Sequence, residues 1–220
     1  MSASSRMETK QVQNMRFSLI MPSYLGAYHN AAKNREEKIV RAIESVLHQT
    51  FQDFELIVVS DGCDKTVEIV KPYFYEYMPK IRLVKIPKQR TWSGLVRNAG
   101  ISLAEGEIIT YLDIDDYLGE NHLQIINDNF GEMDWVWYNH KIWSVKENAF
   151  ITYHTDINVH GRCGTSSISH KRSMEAYWIN HSYSHDLIFI NTLKSISKNY
   201  GQVPETEYLV CHMPNGTIDV

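Results

Sequence analysis

The strongest constraint on this chain is the regular alternation, through its first half, of short apolar runs with segments of helical periodicity. "FSLIM" (17–21) is an apolar run closed by Pro22, and "FELIVVS" (54–60) is a β-branched run stopped by Asp61 and Gly62. "IRLVKI" (81–86) alternates apolar and polar residues ahead of Pro87, and "EIITYL" (107–112) is a fourth run. Continuous runs of this length read as strands buried on both faces, and the alternating one as half-buried. Between them, Ile39, Val40, Ile43, Val46 and Leu47 form one stripe of a helix over 36–49. A second helix is predicted over 65–77, ending before Pro79, and a third in "WSGLVRNAGISLAEG" (92–106), with Gly106 as its C-cap. Strands separated by helices predict an α/β fold, a doubly wound and mostly parallel sheet, since a parallel pair needs a crossover long enough to hold a helix. Such sheets bind ligands beyond the carboxyl ends of their strands.

The second half is less regular. "HLQIINDNF" predicts a helix, and "DWVWYNHKIWS" reads as a strand that pairs with "AFITYHT" in a hairpin. Helices are expected near 173–179 and 186–197. There is no internal repeat, low-complexity segment or linker. The expected organisation is a disordered polar tail over 1–14 and one domain over 15–220, in two halves, 15–118 and 119–220.

Composition excludes several classes. A net charge of -4 over 220 residues gives no general attraction to nucleic acid or anionic lipid. No apolar run reaches the ~18 residues of a membrane span, and the N-terminus lacks the apolar stretch of a signal peptide. The cysteines, Cys63, Cys163 and Cys211, are odd in number and widely spaced, which fits unpaired thiols in a reducing cytoplasm.

The fourth strand delivers the chain to "YLDIDDYL", where Asp113, Asp115 and Asp116 crowd four positions. Two readings stand. One is a solvated loop or helix N-cap, for which Asp116 is suited. The other is a site for a hard divalent cation, Mg²⁺ or Mn²⁺, whose oxygen shell a substrate phosphate completes. Asp61 and Tyr24 lie past two other strands on the same edge.

Four stretches carry a resemblance to family 2 glycosyltransferases of the GT-A fold: "FSLIMPSY", "AIESVLHQTFQDFELIVVSDGCD", "RNAGISLAEGEIITYLDIDD" and "SHDLIFINTL". They span roughly residues 16–193. The resemblance implies a GT-A, Rossmann-like sheet with a small C-terminal acceptor-side region. It also implies metal-dependent inverting transfer from a nucleotide-sugar, a UDP-sugar, to a hydroxyl of a glycan or other acceptor. By motif, Pro22, Tyr24, Asp61, Arg97, Asn98, Asp113 and Ile114 would contact the donor. Tyr24 would pack on the base and Asp61 would accept the N3–H of uracil, as an acceptor-only group can. Asp113 and Asp115 match the DxD pair, with Asp115 as main metal ligand and Asp113 toward the ribose, while Asp116 either assists or caps a helix. Asp186, in "HD" where the family has "ED", would be the general base or would cap its helix. His212 is a candidate extra metal ligand among ten histidines, most of the later ones (His154, His160, His170, His181, His185) reading as ordinary polar residues. The family often has "DDG" where this chain has Ser60, Asp61 and Gly62.

The aromatics Trp135, Trp137, Tyr138 and Trp143 serve either the core or an acceptor platform. "GRCGTSSISHKR" falls at the acceptor-side loops. Two other functions remain as alternatives: a nucleotidyltransferase, disfavoured because "MPSYLGAYHN" is not a Gly-rich phosphate loop, and a nucleotide-sugar-binding module without catalysis.

Overall fold

A computed structural model describes residues 16–89, 92–179, 184–213 and 218–220. The tail expected over 1–14, and His181, lie outside the described residues. The first half runs β1 (Phe17–Ser23), α1 (Arg35–Leu47), β2 (Phe54–Asp61), α2 (Asp64–Glu76), β3 (Ile81–Ile86), α3 (Gly94–Leu103) and β4 (Ile108–Tyr111). There follow β5 (Tyr117–Leu118), α4 (His122–Phe130), β6 (Trp135–Tyr138), β7 (His140–Ser144), β8 (Ala149–Tyr153) and β9 (Ile168–Lys171). The remainder is α5 (His185–Ile196), β10 (Tyr200–Val203) and β11 (Tyr208–Val210).

Seven strands form the main sheet in the order β10-β6-β9-β4-β1-β2-β3. All neighbours pair in parallel except β9, which is antiparallel to both β4 and β6. The chain winds outward from β1 through β2 to β3, then returns to the other side of β1 as β4. That reversal opens a crevice between the carboxyl ends of β1 and β4.

The helices fill both faces for the reason the pattern gave. On α1, Ile39, Ala42, Ile43 and Val46 are fully buried, at spacings of three and four. Each large one gains roughly 1.5–3 kcal/mol from burial. With Val70 of α2 and Leu123, Ile126 and Phe130 of α4 they form one core layer. The opposite layer holds Val96 and Ile101 of α3, Phe189, Ile190 and Leu193 of α5, and Trp135. Among the described residues no helix is long and apolar enough to cross a membrane, and the three cysteines are buried and free.

Three local expectations are corrected. Helix α3 stops at Leu103, and Gly106 is not its left-handed cap. A Cβ on Gly106 would lie 2.6 Å from the Phe17 backbone carbon, so glycine is needed for close approach to β1. The aromatic run breaks at Asn139: β6 joins the main sheet, while β7 pairs with β8 in a second sheet ordered β5-β11-β7-β8. The Asn139 amide fixes that break, accepting from Thr155 N–H (3.0 Å) and donating to the Pro204 carbonyl (2.6 Å). Trp135 and Tyr138 belong to the core rather than to a platform. Finally, only Arg172–Met174 forms a helical turn where a helix over 173–179 was expected, because Glu175 turns left-handed (φ 50°).

Three imidazoles are enclosed in this fold. Burial alone pushes His122 down to about 3 and His140 to about 4, and burial is also the main cause that brings His170 to about 4. The unfolded chain binds protons near pH 6.5 that the folded chain excludes, so stability falls as pH drops through that value. Each histidine should cost about 2 kcal/mol between pH 7 and pH 5. Urea titrations of His122→Leu should show about 2 kcal/mol less loss than the parent over that interval, and an unchanged loss would refute the assignment.

Candidate active site

The strand ends at the crevice border a cavity of about 1040 Å³. β1 and the turn after it supply Pro22 and Tyr24, β2 supplies Asp61, and α3 supplies Arg97. The loop after β4 supplies Asp113, Ile114 and Asp115, and the segment after β11 supplies His212. Eight of the residues singled out in the sequence are thus brought to one space.

Asp61 ends a strand buried along its whole length. Its Oδ1 accepts from Gln89 N–H (2.6 Å), and its Oδ2 pairs with Lys88 Nζ (2.5 Å). The same ammonium lies 4.1 Å above the Tyr24 ring. Gly62 allows this packing in two ways. It adopts φ 65°, and a Cβ there would come within 2.7 Å of Lys88 N. Arg35 fastens the Tyr24 turn by donating to the carbonyls of Tyr24 (2.8 Å) and Gly26 (2.9 Å).

The three acids have three different environments. Asp113 Oδ1 accepts from Arg97 Nη2 (3.0 Å), and its Oδ2 accepts from Thr165 Oγ1 (3.2 Å). Asp115 is half-buried and faces the cavity; burial, then the Asp113 charge, raises its carboxyl above the usual range, with His212 and Lys38 opposing. Arg41 holds the Asp115 carbonyl (3.0 Å). Asp116 is only 5% exposed and turns away from helix and cavity alike. Its Oδ1 accepts from Cys211 N–H (2.8 Å), while burial and the two neighbouring acids raise its carboxyl well above the usual range. The helix-cap reading of Asp116 is therefore corrected: strand β5 follows it, and α4 begins only at His122. His212 stands beside the cavity, with Nε2 3.0 Å from the Asn30 carbonyl.

Two expected residues lie elsewhere. Asn98 does not line the cavity; its amide binds the Trp178 backbone. Asp186 does not line it either. It sits in the first turn of α5 without capping the helix, and its Oδ1 lies 3.4 Å from His185 Nε2. Burial raises its carboxyl, Asp113 adds to the rise, and His185 and Arg97 oppose it, so Asp186 is within electrostatic reach of the acid loop. The sequence reading missed Lys88, Thr165 and Trp178. Lys88 follows β3 just past Pro87, so the strand-end rule that picked Asp61 pointed there too.

The family model for Glycosyl transferase family 2 matches residues 31–148, more than half of the chain. The minor teichoic acid biosynthesis protein GgaB of Bacillus subtilis is 36% identical over 130 residues, 56% of this chain and 13% of GgaB. The poly(ribitol-phosphate) beta-N-acetylglucosaminyltransferase TarS of Staphylococcus aureus is 34% identical over 116 residues, 50% of this chain and 18% of TarS. The chain thus spans well under half the length of these relatives. Residues 1–349 of TarS, solved in complex with UDP-GlcNAc, superpose with a TM-score of 0.68 at 19% identity, covering 89% of this chain and 58% of that one. A Pyrobaculum calidifontis mannosyltransferase, in complex with GDP-Man and Mn²⁺, gives 0.62 at 16% identity, covering 89% and 56%. Both likenesses establish the GT-A fold.

Asp116→Ala would leave the Cys211 N–H buried without an acceptor and should cost about 1–3 kcal/mol. Asp116→Asn, which keeps an oxygen there, should cost less. Urea denaturation of both variants measures the difference, and equal costs would refute this role.

Proposed function

The chain belongs to glycosyltransferase family 2, and from that membership we propose that it moves a sugar from a UDP-sugar to a hydroxyl of a glycan acceptor, inverting the anomeric carbon. The observation that carries this reading is the meeting of Asp61, Arg97, Asp113 and Asp115 in one cavity at the sheet's reversal point. On this reading residues 15–118 form the donor side and 119–220 the acceptor side of one catalytic domain.

Asp61 keeps lone pairs beyond those used by Gln89 and Lys88, and a carboxylate can accept the imide N–H of uracil. The UDP-GlcNAc complex of TarS favours a uridine donor. Tyr24 offers its ring to the base, and Pro22 and Ile114 add apolar surface beside it. Asp113, steadied by Arg97 and Thr165, faces the ribose or sugar.

Among the described residues no three histidine, cysteine or acidic side chains form a ready metal cluster. Asp115 nevertheless fits a Mn²⁺ or Mg²⁺ ion: it opens to the cavity, burial and the Asp113 charge raise its carboxyl despite His212 and Lys38, and carboxylates suit these metals. Asp115 would be the main ligand, with Asp113 and His212 beside it and water and phosphate oxygens completing the shell. When bound, such an ion supplies positive charge at the donor diphosphate.

Asp186 accepts the proton of the acceptor hydroxyl as its oxygen bonds to the anomeric carbon. The bond from that carbon to the diphosphate oxygen breaks, and UDP leaves with the electron pair. Because burial raises Asp186, activity should fall with decreasing pH through a value above the ordinary carboxylate range.

UDP release from UDP-sugars, with Mn²⁺ and with chelator, tests the proposal. Asp186→Asn should lower kcat by about 10²–10⁴-fold and leave donor affinity unchanged. Asp115→Asn should raise the Mn²⁺ concentration needed for half-maximal rate. Unaltered turnover in Asp186→Asn would remove it as the base; tight UDP binding with no release from any donor would favour a binding module.

A further inference from the structure

Asn98 and Trp178 are separated by 80 residues, yet they meet through two hydrogen bonds. Asn98 Oδ1 accepts from Trp178 N–H at 2.8 Å, and its Nδ2 donates to the Trp178 carbonyl at 2.8 Å. The carboxamide thus acts as a neighbouring strand would, satisfying both backbone groups of one residue. Asparagine is suited to this because it carries an acceptor and a donor on one short, planar group. Gly94, one turn earlier on α3, permits the approach: a Cβ there would lie 2.8 Å from the Ile179 carbonyl oxygen.

Trp178 touches both sides of the proposed machinery. Its side chain is 2% exposed, and its Nε1–H donates to Tyr111 Oη at 3.0 Å. The Arg97 guanidinium lies 5.1 Å from its ring centroid, and Arg97 in turn holds Asp113. On another side the indole stacks on Phe189, with centroids 3.9 Å apart and planes at 12°. Phe189 is three residues beyond Asp186 on α5, so the two share a helix face.

We infer that Asn98 is a positioning residue: its amide fixes Trp178, and Trp178 sets the spacing between the Arg97–Asp113 pair and the helix that carries Asp186. This rests on the reading of Asp186 as the base. It reassigns Asn98 from donor contact to the alignment of donor and acceptor sides. Asn98→Asp keeps the acceptor but loses the donor and sets a carboxylate against a carbonyl, so the pair is broken on one side.

The experiment compares Asn98→Asp and Asn98→Ala with the parent in three readouts: kcat, UDP affinity, and the fluorescence contributed by Trp178, taken as the difference from a Trp178→Phe partner. Val70→Ala, in the core layer on the opposite face of the sheet, serves as a control for lost stability. Both Asn98 variants should lose kcat by roughly 10–100-fold, as displaced supporting contacts do, with UDP affinity retained and the indole emission shifted to the red. Val70→Ala should keep its kcat. The inference is overturned if the Asn98 variants keep kcat, if UDP affinity falls as far as kcat, or if Val70→Ala loses turnover equally. Absence of UDP release by the parent would defeat the functional reading instead. The Trp178 emission would then test the clamp alone: an unshifted spectrum overturns it, and a red shift shows that Asn98 fixes the indole without bearing on Asp186.

Discussion

Three carboxylates within four residues repel one another, and their surroundings turn two of them toward protein partners and leave one facing the cavity. Asp113 takes the Arg97 guanidinium and the Thr165 hydroxyl. Asp116 is withdrawn from the cavity and spends its Oδ1 on the Cys211 N–H. Asp115 faces the cavity with its carboxyl raised by burial and by its neighbour. A carboxylate raised by burial and by a neighbouring acid gains from a cation brought beside it, so this asymmetry defines where the site has affinity to offer. The order of strands follows the same logic, because only the reversal between β1 and β4 leaves a crevice at which such a loop can emerge.

What the sequence revealed was whatever depends on local periodicity. The stripe Ile39, Ile43 and Val46 and the run Phe54 to Ser60 placed α1 and β2 because burial acts on spacings of three, four or two residues. The four strands β1 to β4, paired in parallel, followed from the alternation, while β9 and β10 of the same sheet carried no such signal and were not anticipated. Eight site residues came together because strand ends in such sheets share an edge. What stayed hidden depends on partners far away in the chain. Asp116 looked like a helix cap because its acceptor role is directed at Cys211, 95 residues on. Asn98 looked like a donor contact because it stands beside Arg97 in the motif, while its own partner lies 80 residues away. The expected helix over 173–179 is cut at the left-handed Glu175, and beyond that turn the backbone groups of Trp178 pair with a side chain of α3 instead.

The departure from the family's "DDG" has a physical counterpart. Ser60 is fully buried at the end of β2, where its hydroxyl donates to the Cys63 carbonyl (2.7 Å) and accepts from Cys63 N–H (3.2 Å). The turn is closed by one small side chain that is both donor and acceptor. A carboxylate has no proton to offer that carbonyl, so an acid at this position would need a different turn. Serine therefore leaves Asp61 as the one carboxylate at the end of β2.

That isolation explains Lys88. With no second acid beside it, Asp61 takes its countercharge from the segment after β3, and the same ammonium covers the Tyr24 ring. Asp61 and Tyr24 are thus joined through one flexible cation. A planar base that packs on Tyr24 from the side of Lys88 displaces the ammonium from the ring, while a base N–H directed at Asp61 shares the carboxylate with it. On the proposed reading, recognition at this end of the cavity would be an exchange of partners at Asp61 rather than the filling of an empty slot, and the energy that remains for binding would be the difference between two hydrogen-bonded states.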